Sequence, residues 1–214
     1  MNHGYMSIWI MVIMATLVAT GWKPYVAPDI SKRTIGLLGI LIAVLLPSSI
    51  WWSPMPAVVQ VQLHVTVCLL LLSTFFLLRG SENWSYRGYL VLCAFMIAVI
   101  WGSIRKIYIY DPVFYWLDPS WDAPIIGGLL CGAFTSEAKH QFGLIIWGAV
   151  LGECLNAVLQ SGAYTAQIGS LSWWDSFWIA IASARLFSLL LKLIRMTISK
   201  LGIMLWHIKG GRSS

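Results

Sequence analysis

Residues 34–78, TIGLLGILIAVLLPSSIWWSPMPAVVQVQLHVTVCLLLLSTFFLL, contain no aspartate, glutamate, lysine or arginine. One crossing of a bilayer needs about 20 apolar helical residues, so this stretch is long enough for two crossings. Pro47, Pro54 and Pro56 interrupt it, and proline breaks the interior of a helix. We therefore predict two membrane spans here, at residues 35–52 and 58–78.

The composition of the whole chain places it in a membrane. Hydrophobic residues make up 59% of the sequence and charged residues 10%, and the mean hydropathy is +0.78. Such a chain has too little polar surface to cover a water-soluble globule. Its apolar windows are continuous and do not alternate with polar residues, which favours helices over a membrane β-barrel.

The apolar windows along the chain predict an all-α bundle of seven transmembrane helices that forms one membrane domain, residues 1–214. The fifth predicted helix is short and proline-started, as a broken helix would be. A basic tail, residues 195–214, is expected to lie along the membrane interface. The seven predicted spans are residues 5–22, 35–52, 58–78, 88–104, 123–136, 142–160 and 173–194.

The distribution of basic residues predicts the orientation, because lysine and arginine in short loops accumulate on the cytoplasmic side. With the N-terminus outside and seven spans, the outer loops hold only Arg105 and Lys106. Eleven basic residues then lie inside: Lys23, Lys32, Arg33, Arg79, Arg87, Lys139, Lys192, Arg195, Lys200, Lys209 and Arg212. We predict a multi-pass protein of the cell membrane, N-terminus out and C-terminus in, with anionic lipids at its inner face.

An acidic and aromatic loop precedes the fifth predicted span. Residues 107–124, IYIYDPVFYWLDPSWDAP, carry Asp111, Asp118 and Asp122 and no basic residue. We interpret the aspartates as turn-forming residues in water and the rings as anchors at headgroup depth. The alternative is a binding site in which the three carboxylates meet a divalent cation or a basic protein partner.

Two ionisable residues fall within predicted spans, where a charge is costly. Glu153 lies in the sixth and Arg185 in the seventh, and helical periodicity puts Glu153, Asn156 and Gln160 on one face. We predict an intramembrane polar network of these four residues in which Glu153 pairs with Arg185. Its expected role is to fix the helix register, and the alternative is a proton or ion relay.

The sequence contains no motif typical of a catalytic site, such as H-E-x-x-H, G-x-S-x-G or a Walker A loop. We therefore expect no enzymatic activity, cofactor, metal or nucleic-acid partner. The expected function is a membrane assembly or interaction factor, and the alternative is a small transporter or channel that uses the polar stripe of the sixth and seventh helices. G-x-x-x-G spacings at Gly128/Gly132 and Gly148/Gly152 indicate close helix packing and allow homo-oligomerisation.

The first span and its flank, ATLVATGWKPYVAPDISKR at residues 15–33, together with the chain length and the short loops, resemble the YphA-type membrane proteins of endospore-forming Firmicutes. The resemblance implies a polytopic membrane protein linked to sporulation and to assembly of the spore envelope. It implies no active-site residues.

Overall fold

The fold is helical. The structure, a computed structural model, describes residues 2–54, 60–79, 83–111, 113, 115–160 and 164–210, and the side chains of these residues except 76–79 and 201–210. The described part contains eight helices and three short strands, so the predicted helical class is confirmed. In chain order they are α1 (Tyr5–Ala19), α2 (Lys23–Val26), α3 (Lys32–Leu45), β1 (Trp51–Trp52), β2 (Val61–His64), α4 (Val65–Arg79), α5 (Trp84–Tyr110), α6 (Asp122–Phe134), α7 (Ala138–Leu159), β3 (Ala166–Ile168) and α8 (Leu171–Gly210).

Three of the described helices are long and apolar enough to cross a membrane: α5, α7 and the Leu171–Lys200 part of α8. Three more apolar segments are shorter, namely α1, residues Val65–Phe75 of α4, and α6. At a rise of 1.5 Å per residue, the 13 residues of α6 extend about 20 Å. The fifth predicted span is therefore short, as its sequence indicated.

A three-stranded sheet, which the sequence analysis did not predict, replaces the ends of two predicted spans. α3 ends at Leu45, and residues 61–64 of the predicted third span form β2 before α4 begins. β2 lies between β1, which is antiparallel, and β3, which is parallel. Val61 and Leu63 on one face of β2 are buried, and His64 at its end is buried as well. The start of that predicted span, residues 58–59, lies outside the described residues.

Contacts at the ends of the last four helices give their directions. The Tyr89 hydroxyl donates to the Phe134 carbonyl at 3.0 Å, and the Tyr108 hydroxyl donates to Asp122 Oδ2 at 2.8 Å. The start of α5 therefore lies beside the end of α6, and the two helices are antiparallel.

The same comparison orients α7 and α8. Glycines of α6 meet α8 in rising order along both helices, so α6 and α8 are parallel. α7 runs parallel to α5, because His140 lies near Tyr86 and Glu153 near Trp101. The helices α5, α6, α7 and α8 thus alternate in direction. We call the end with Asp118, Asp122 and Asp175 the acidic end, and the end with Arg87, Lys139 and Lys192 the basic end.

Both G-x-x-x-G pairs are used inside the chain. A Cβ on Gly128 would lie 2.4 Å from the Ala180 carbonyl oxygen, and one on Gly132 would lie 2.7 Å from the Ala184 carbonyl oxygen. Gly148 and Gly152 meet α5 in the same close way. The small residues let α6 reach α8 and let α7 reach α5 at backbone distance, which is the packing role predicted for them.

The basic tail is the end of a helix. α8 continues without interruption from Leu171 to Gly210, so the predicted interfacial segment 195–214 begins inside it. Residues 211–214 lie outside the described residues. At about 1.5 Å per residue, the 40 residues of α8 extend about 60 Å, which is roughly twice the hydrocarbon thickness.

Candidate functional site

The candidate functional site is an ion pair near the acidic end whose carboxylate is buried. Glu153 of α7 is 2% exposed, and its Oε1 lies 3.2 Å from Nε of Arg105 on α5. Trp101 Nε1 donates to the same oxygen at 3.1 Å, and the Tyr164 hydroxyl donates to Oε2 at 3.2 Å. The Glu153 carboxylate is thus neutralised by one cation and held by two neutral donors.

The length of α5 brings Arg105 to this site. The predicted fourth span ended at residue 104 and left Arg105 in an outer loop, whereas α5 continues to Tyr110. Ile97, Trp101 and Arg105 follow one another at intervals of four and share a helix face. That face packs against α7, so the periodic pattern that continues past residue 104 was the signal that could have placed Arg105 beside Glu153.

Arg185 occupies a different place, and the predicted pair between Glu153 and Arg185 is wrong. The Arg185 guanidinium donates from Nη2 to the Tyr25 carbonyl at 2.7 Å, and from Nη1 to the Ser136 carbonyl at 3.0 Å and Gln141 Oε1 at 3.1 Å. All of these partners lie toward the basic end.

The depths of the two residues explain the error. Glu153 lies about 9 Å before the end of α7 at Leu159, and Arg185 lies about 21 Å past the start of α8 at Leu171. In antiparallel neighbours these positions differ by about 12 Å along the axis. The two charges are therefore too far apart to pair, and each is satisfied at its own end.

The remaining members of the predicted polar stripe contact each other. Asn156 is buried, and its Oδ1 accepts a hydrogen bond of 2.7 Å from Nε2 of Gln160 one turn later. The four predicted network residues therefore form three separate groups: Glu153 with Arg105, Asn156 with Gln160, and Arg185 with Gln141.

A cavity of about 230 Å³ adjoins the ion pair. It lies between the end of α7, the start of α8 and the segment that leads to β3, and Thr165 and Gln167 on its wall are exposed. Trp173 also lines it, and the buried Nε1 of Trp173 has no hydrogen-bond partner among the described residues. The described residues that line it are Arg105, Glu153, Tyr164, Thr165, Gln167, Ser170, Ser172 and Trp173.

Tyr164 is a hydrogen-bond donor at this site. Burial, together with the nearby negative charge of Glu153, raises the pKa of its phenol to about 12. Since an unperturbed tyrosine has a pKa near 10, Tyr164 stays protonated throughout the physiological range and donates to Glu153.

The predicted binding residues of the acidic loop do not converge. Asp122 is fully buried, and its carboxylate accepts the Tyr108 hydroxyl and the backbone amides of Trp116, Leu117 and Asp118. Burial by itself would raise the pKa of this carboxyl, but the four hydrogen bonds outweigh it and the pKa is lowered. Asp122 is therefore ionised, and its hydrogen bonds hold the backbone of the loop in place.

The other two loop aspartates make local turns. Asp118 Oδ1 accepts from the backbone amide and hydroxyl of Ser120, and Asp111 Oδ1 accepts from the Val113 amide at 3.2 Å. Within the described ranges, no group of three or more histidine, cysteine, aspartate or glutamate side chains could hold a metal ion. These contacts match the turn-forming interpretation, while the alternative of three carboxylates on one cation is wrong for this conformation.

Asp175 has a structural role that the sequence did not reveal. Its carboxylate accepts three hydrogen bonds of 2.7 Å, from the Gly4 amide, the Ser7 amide and the Ser7 hydroxyl. These amides lie at the start of α1, where backbone N–H groups lack partners within the helix. Asp175 of α8 thus caps a helix that is distant in sequence, and no local pattern signals such a contact.

Comparison with known proteins identifies the family. A model of the YphA-like integral membrane protein family matches residues 3–204. The chain belongs to this family. The match covers the ion pair, the cavity and the acidic loop, so all of these lie within the family's domain. Searches of the curated proteins and of the solved structures returned no match. Membership establishes an integral membrane protein, as the sequence resemblance implied.

Proposed function

We propose that this member of the YphA-like family is a non-enzymatic membrane protein that binds a small zwitterionic solute beside Arg105 and Glu153, as the recognition step of transport. The observation that carries the proposal is a cavity bordered by a partly exposed cation, a buried anion and an unpartnered buried donor. A ligand with one carboxylate and one ammonium group complements this set.

The volume of the cavity sets the size of the ligand. Pockets for drug-sized molecules measure roughly 300–1,000 Å³, whereas this one measures about 230 Å³. It suits a solute of amino-acid size. Of the eight described residues that line it, seven carry a polar side chain and the eighth is Trp173 with its indole N–H, so an apolar guest would leave these groups without partners.

The indole of Trp173 favours a ligand over a purely structural pair. A buried donor without a partner costs free energy, and native proteins rarely leave one. Glu153 already contacts Arg105, Trp101 and Tyr164. A purely structural contact between the helices would therefore not require the unpartnered indole of Trp173. An acceptor in the cavity, such as a ligand carboxylate, would satisfy Trp173 Nε1 and contact Arg105.

The proposed topology puts this cavity on the outside of the cell membrane. We propose seven crossings with the N-terminus out and the C-terminus in. The alternating directions of α5 to α8 support it, as does the accumulation of basic residues at the basic end. In this arrangement the helices α1, α3, α4 and α6, which are shorter than a full crossing, complete their crossings with the residues that adjoin them.

Ligand-induced stabilisation tests the proposal. The purified protein is melted with amino acids and betaines, and with analogues that carry only the carboxylate or only the ammonium group. A matched pair of variants gives the control. Trp173→Phe removes the indole N–H that lines the cavity, and Trp174→Phe removes a neighbouring buried indole N–H that does not line it.

We expect at least one zwitterion, and neither half-analogue, to raise the melting temperature of the wild type and of Trp174→Phe. The increase should be strongly reduced in Trp173→Phe. Uptake of the same solute into proteoliposomes then tests transport itself. Absence of stabilisation across the panel, or equal loss in both variants, would contradict the proposal.

An assembly or interaction factor is the second candidate, and the exposed residues of the acidic loop favour it. Val113 is 88% exposed and Trp116 69%, and Leu117 beside them is also exposed, while the loop carboxylates are used internally. A partner would therefore meet apolar side chains. Trp116→Ser with Leu117→Ser should abolish co-purification of such a partner without changing solute binding.

The biological setting is also proposed. The resemblance noted in the sequence implies a link to sporulation and to assembly of the spore envelope, and we propose this setting, which is compatible with either function. Complementation of a deletion strain tests it. The wild-type chain should restore spore resistance, while Trp173→Phe should fail if solute recognition is required and Trp116→Ser with Leu117→Ser should fail if the partner is required.

A further inference from the structure

A second cavity, of about 540 Å³, lies at the basic end and is independent of the proposed solute site. One wall is a single face of α8 that carries Arg185, Lys192 and Arg195. The spacings of seven and three residues return to the same side of a helix. The opposite wall comes from α2 with the residues after it, and from the turn between α6 and α7. Three cations therefore line one opening.

The three cations differ in their exposure and in the hydrogen bonds that they already form. Lys192 and Arg195 are exposed and form no ion pair or hydrogen bond with the described part of the chain. Arg185 is 8% exposed and forms the buried floor. Its Nη atoms hold carbonyl and amide oxygens, but its Nε is buried without a hydrogen-bond partner among the described residues. This donor and the two free cations remain for a ligand.

The two acids on the lining are already engaged. Asp29 Oδ2 accepts the Ala138 amide at 3.0 Å and so caps the start of α7. Glu137 lies 3.3 Å from Lys139 and 3.3 Å from His140. Neither carboxylate pairs with Lys192 or Arg195, and the described lining holds three cations against two anions, so its net charge is positive.

We propose that this cavity binds the phosphate-bearing headgroup of an anionic phospholipid. The phosphate lies between Lys192 and Arg195, which are about 4.5 Å apart along the helix axis, and the polar remainder of the headgroup extends toward Arg185 about 10 Å deeper. Basic pockets between transmembrane helices on the cytoplasmic side suit such headgroups.

The surroundings favour a lipid over a soluble phosphate. Leu189 and Met196 line the cavity beside its cations, and Leu186, Leu190 and Leu193 on the neighbouring faces of α8 are exposed. An acyl chain would cover this apolar surface while its phosphate meets the cations. A free phosphate would satisfy only the cations.

The test measures binding of short-chain phosphatidylglycerol to the delipidated full-length protein by native mass spectrometry and by thermal stabilisation. The site variant is Lys192→Gln with Arg195→Gln. The control is Lys32→Gln with Lys200→Gln, which removes the same charge from exposed basic residues that do not line the cavity. Inorganic phosphate and phosphatidylcholine are tested alongside.

We expect phosphatidylglycerol to bind the wild type and the control alike, with affinity about tenfold or more lower in the site variant, since each basic residue near an anionic lipid contributes about 1 kcal/mol. Equal weakening in both variants, absence of binding to the wild type, or stabilisation by inorganic phosphate that matches the lipid would overturn the proposal. If the double variant does not purify, Lys192→Gln alone serves, with Lys200→Gln as its control.

Discussion

Arg105 of α5 lies 3.2 Å from Glu153 of α7, and their side chains are 21% and 3% exposed. The two helices are parallel and are separated in the chain by α6. The pair thus fixes the axial position of α5 against α7 at a point where no short loop can do so. It also borders the cavity, so one contact serves both the packing and the proposed recognition.

Removal of the Glu153 charge should destabilise the protein. Breaking a buried pair by removing one partner costs roughly 3–5 kcal/mol, and we expect Glu153→Gln to lie at the lower limit, about 3 kcal/mol, because Arg105 is partly hydrated. Glu137→Gln, whose carboxylate is 43% exposed, is the control and should cost well under 1 kcal/mol. Reversible unfolding in mixed micelles measures both. Equal losses in the two variants would contradict the assignment.

The partner of Glu153 can be identified by double-mutant cycles. Glu153→Gln and Arg105→Gln remove one shared interaction, so their combined effect should be smaller than the sum by about 1 kcal/mol or more. Glu153→Gln and Arg185→Gln act on separate groups and should add within about 0.5 kcal/mol. If Glu153→Gln and Arg185→Gln were coupled while Glu153→Gln and Arg105→Gln were additive, the pair of Glu153 with Arg185 that the sequence suggested would be supported instead.

Asp175 should stabilise the start of α1. Loss of a side-chain cap costs about 1 kcal/mol, and Asp175 accepts three hydrogen bonds there, so we expect Asp175→Ala to cost about 2 kcal/mol. Amide hydrogen exchange at residues 5–10 should rise at the same time. Asp111→Ala is the control: it removes an exposed hydrogen bond to the Val113 amide within the acidic loop and should leave exchange in α1 unchanged.

The acidic loop should lose stability at low pH. The pKa of Asp122 is lower in the folded protein than the unfolded value near 4, so the contribution of its carboxylate is complete above about pH 4 and is lost as the pH falls through the folded pKa. Asp122→Asn should remove this dependence. Tryptophan fluorescence of the loop during acid titration measures it, and an identical acid transition in the variant would contradict the role of Asp122.

Alanine at Gly128 should disrupt the contact between α6 and α8. The new Cβ would lie 2.4 Å from a backbone oxygen that cannot move independently, which should cost about 1–3 kcal/mol. Gly39→Ala on α3 is the control, because no atom lies within 4 Å of its Cβ position. That change should be neutral or stabilising by up to about 1 kcal/mol.

The sequence predicted those features that depend on long apolar windows and on charge. Long apolar windows with few charges marked α5, α7 and α8, and the proline and glycines at residues 124–132 marked a short helix. The turn-forming role of Asp111 and Asp118 followed from their Asp-Pro context. Each of these signals is local, so one sequence is enough to read it.

Contacts between distant segments were not predictable in this way. Asp175 and Ser7 are 168 positions apart, and no periodic pattern connects them. Glu153 was paired with the wrong arginine for two reasons. The predicted fourth span ended six residues before the end of α5, which left Arg105 in a loop. Arg185 also lies about 12 Å from Glu153 along the helix axes, and the sequence pattern does not show this offset. The strand at 61–64 was missed although the sequence signals it: VQVQLHVTV at residues 59–67 alternates apolar and polar side chains, the pattern of a half-buried strand, within a longer stretch whose lack of charge favoured a helix.

The most direct test of a solute cavity on the outer face is labelling at Ser172, which lines it. In a background without the four native cysteines, Ser172→Cys is treated with a membrane-impermeant maleimide on intact cells, and Ser199→Cys near the basic end is the control. We predict that Ser172→Cys reacts from outside and is protected by the stabilising zwitterion, while Ser199→Cys reacts only in opened cells. Labelling of Ser172→Cys only after the cells are opened, or labelling that no solute slows, would contradict it.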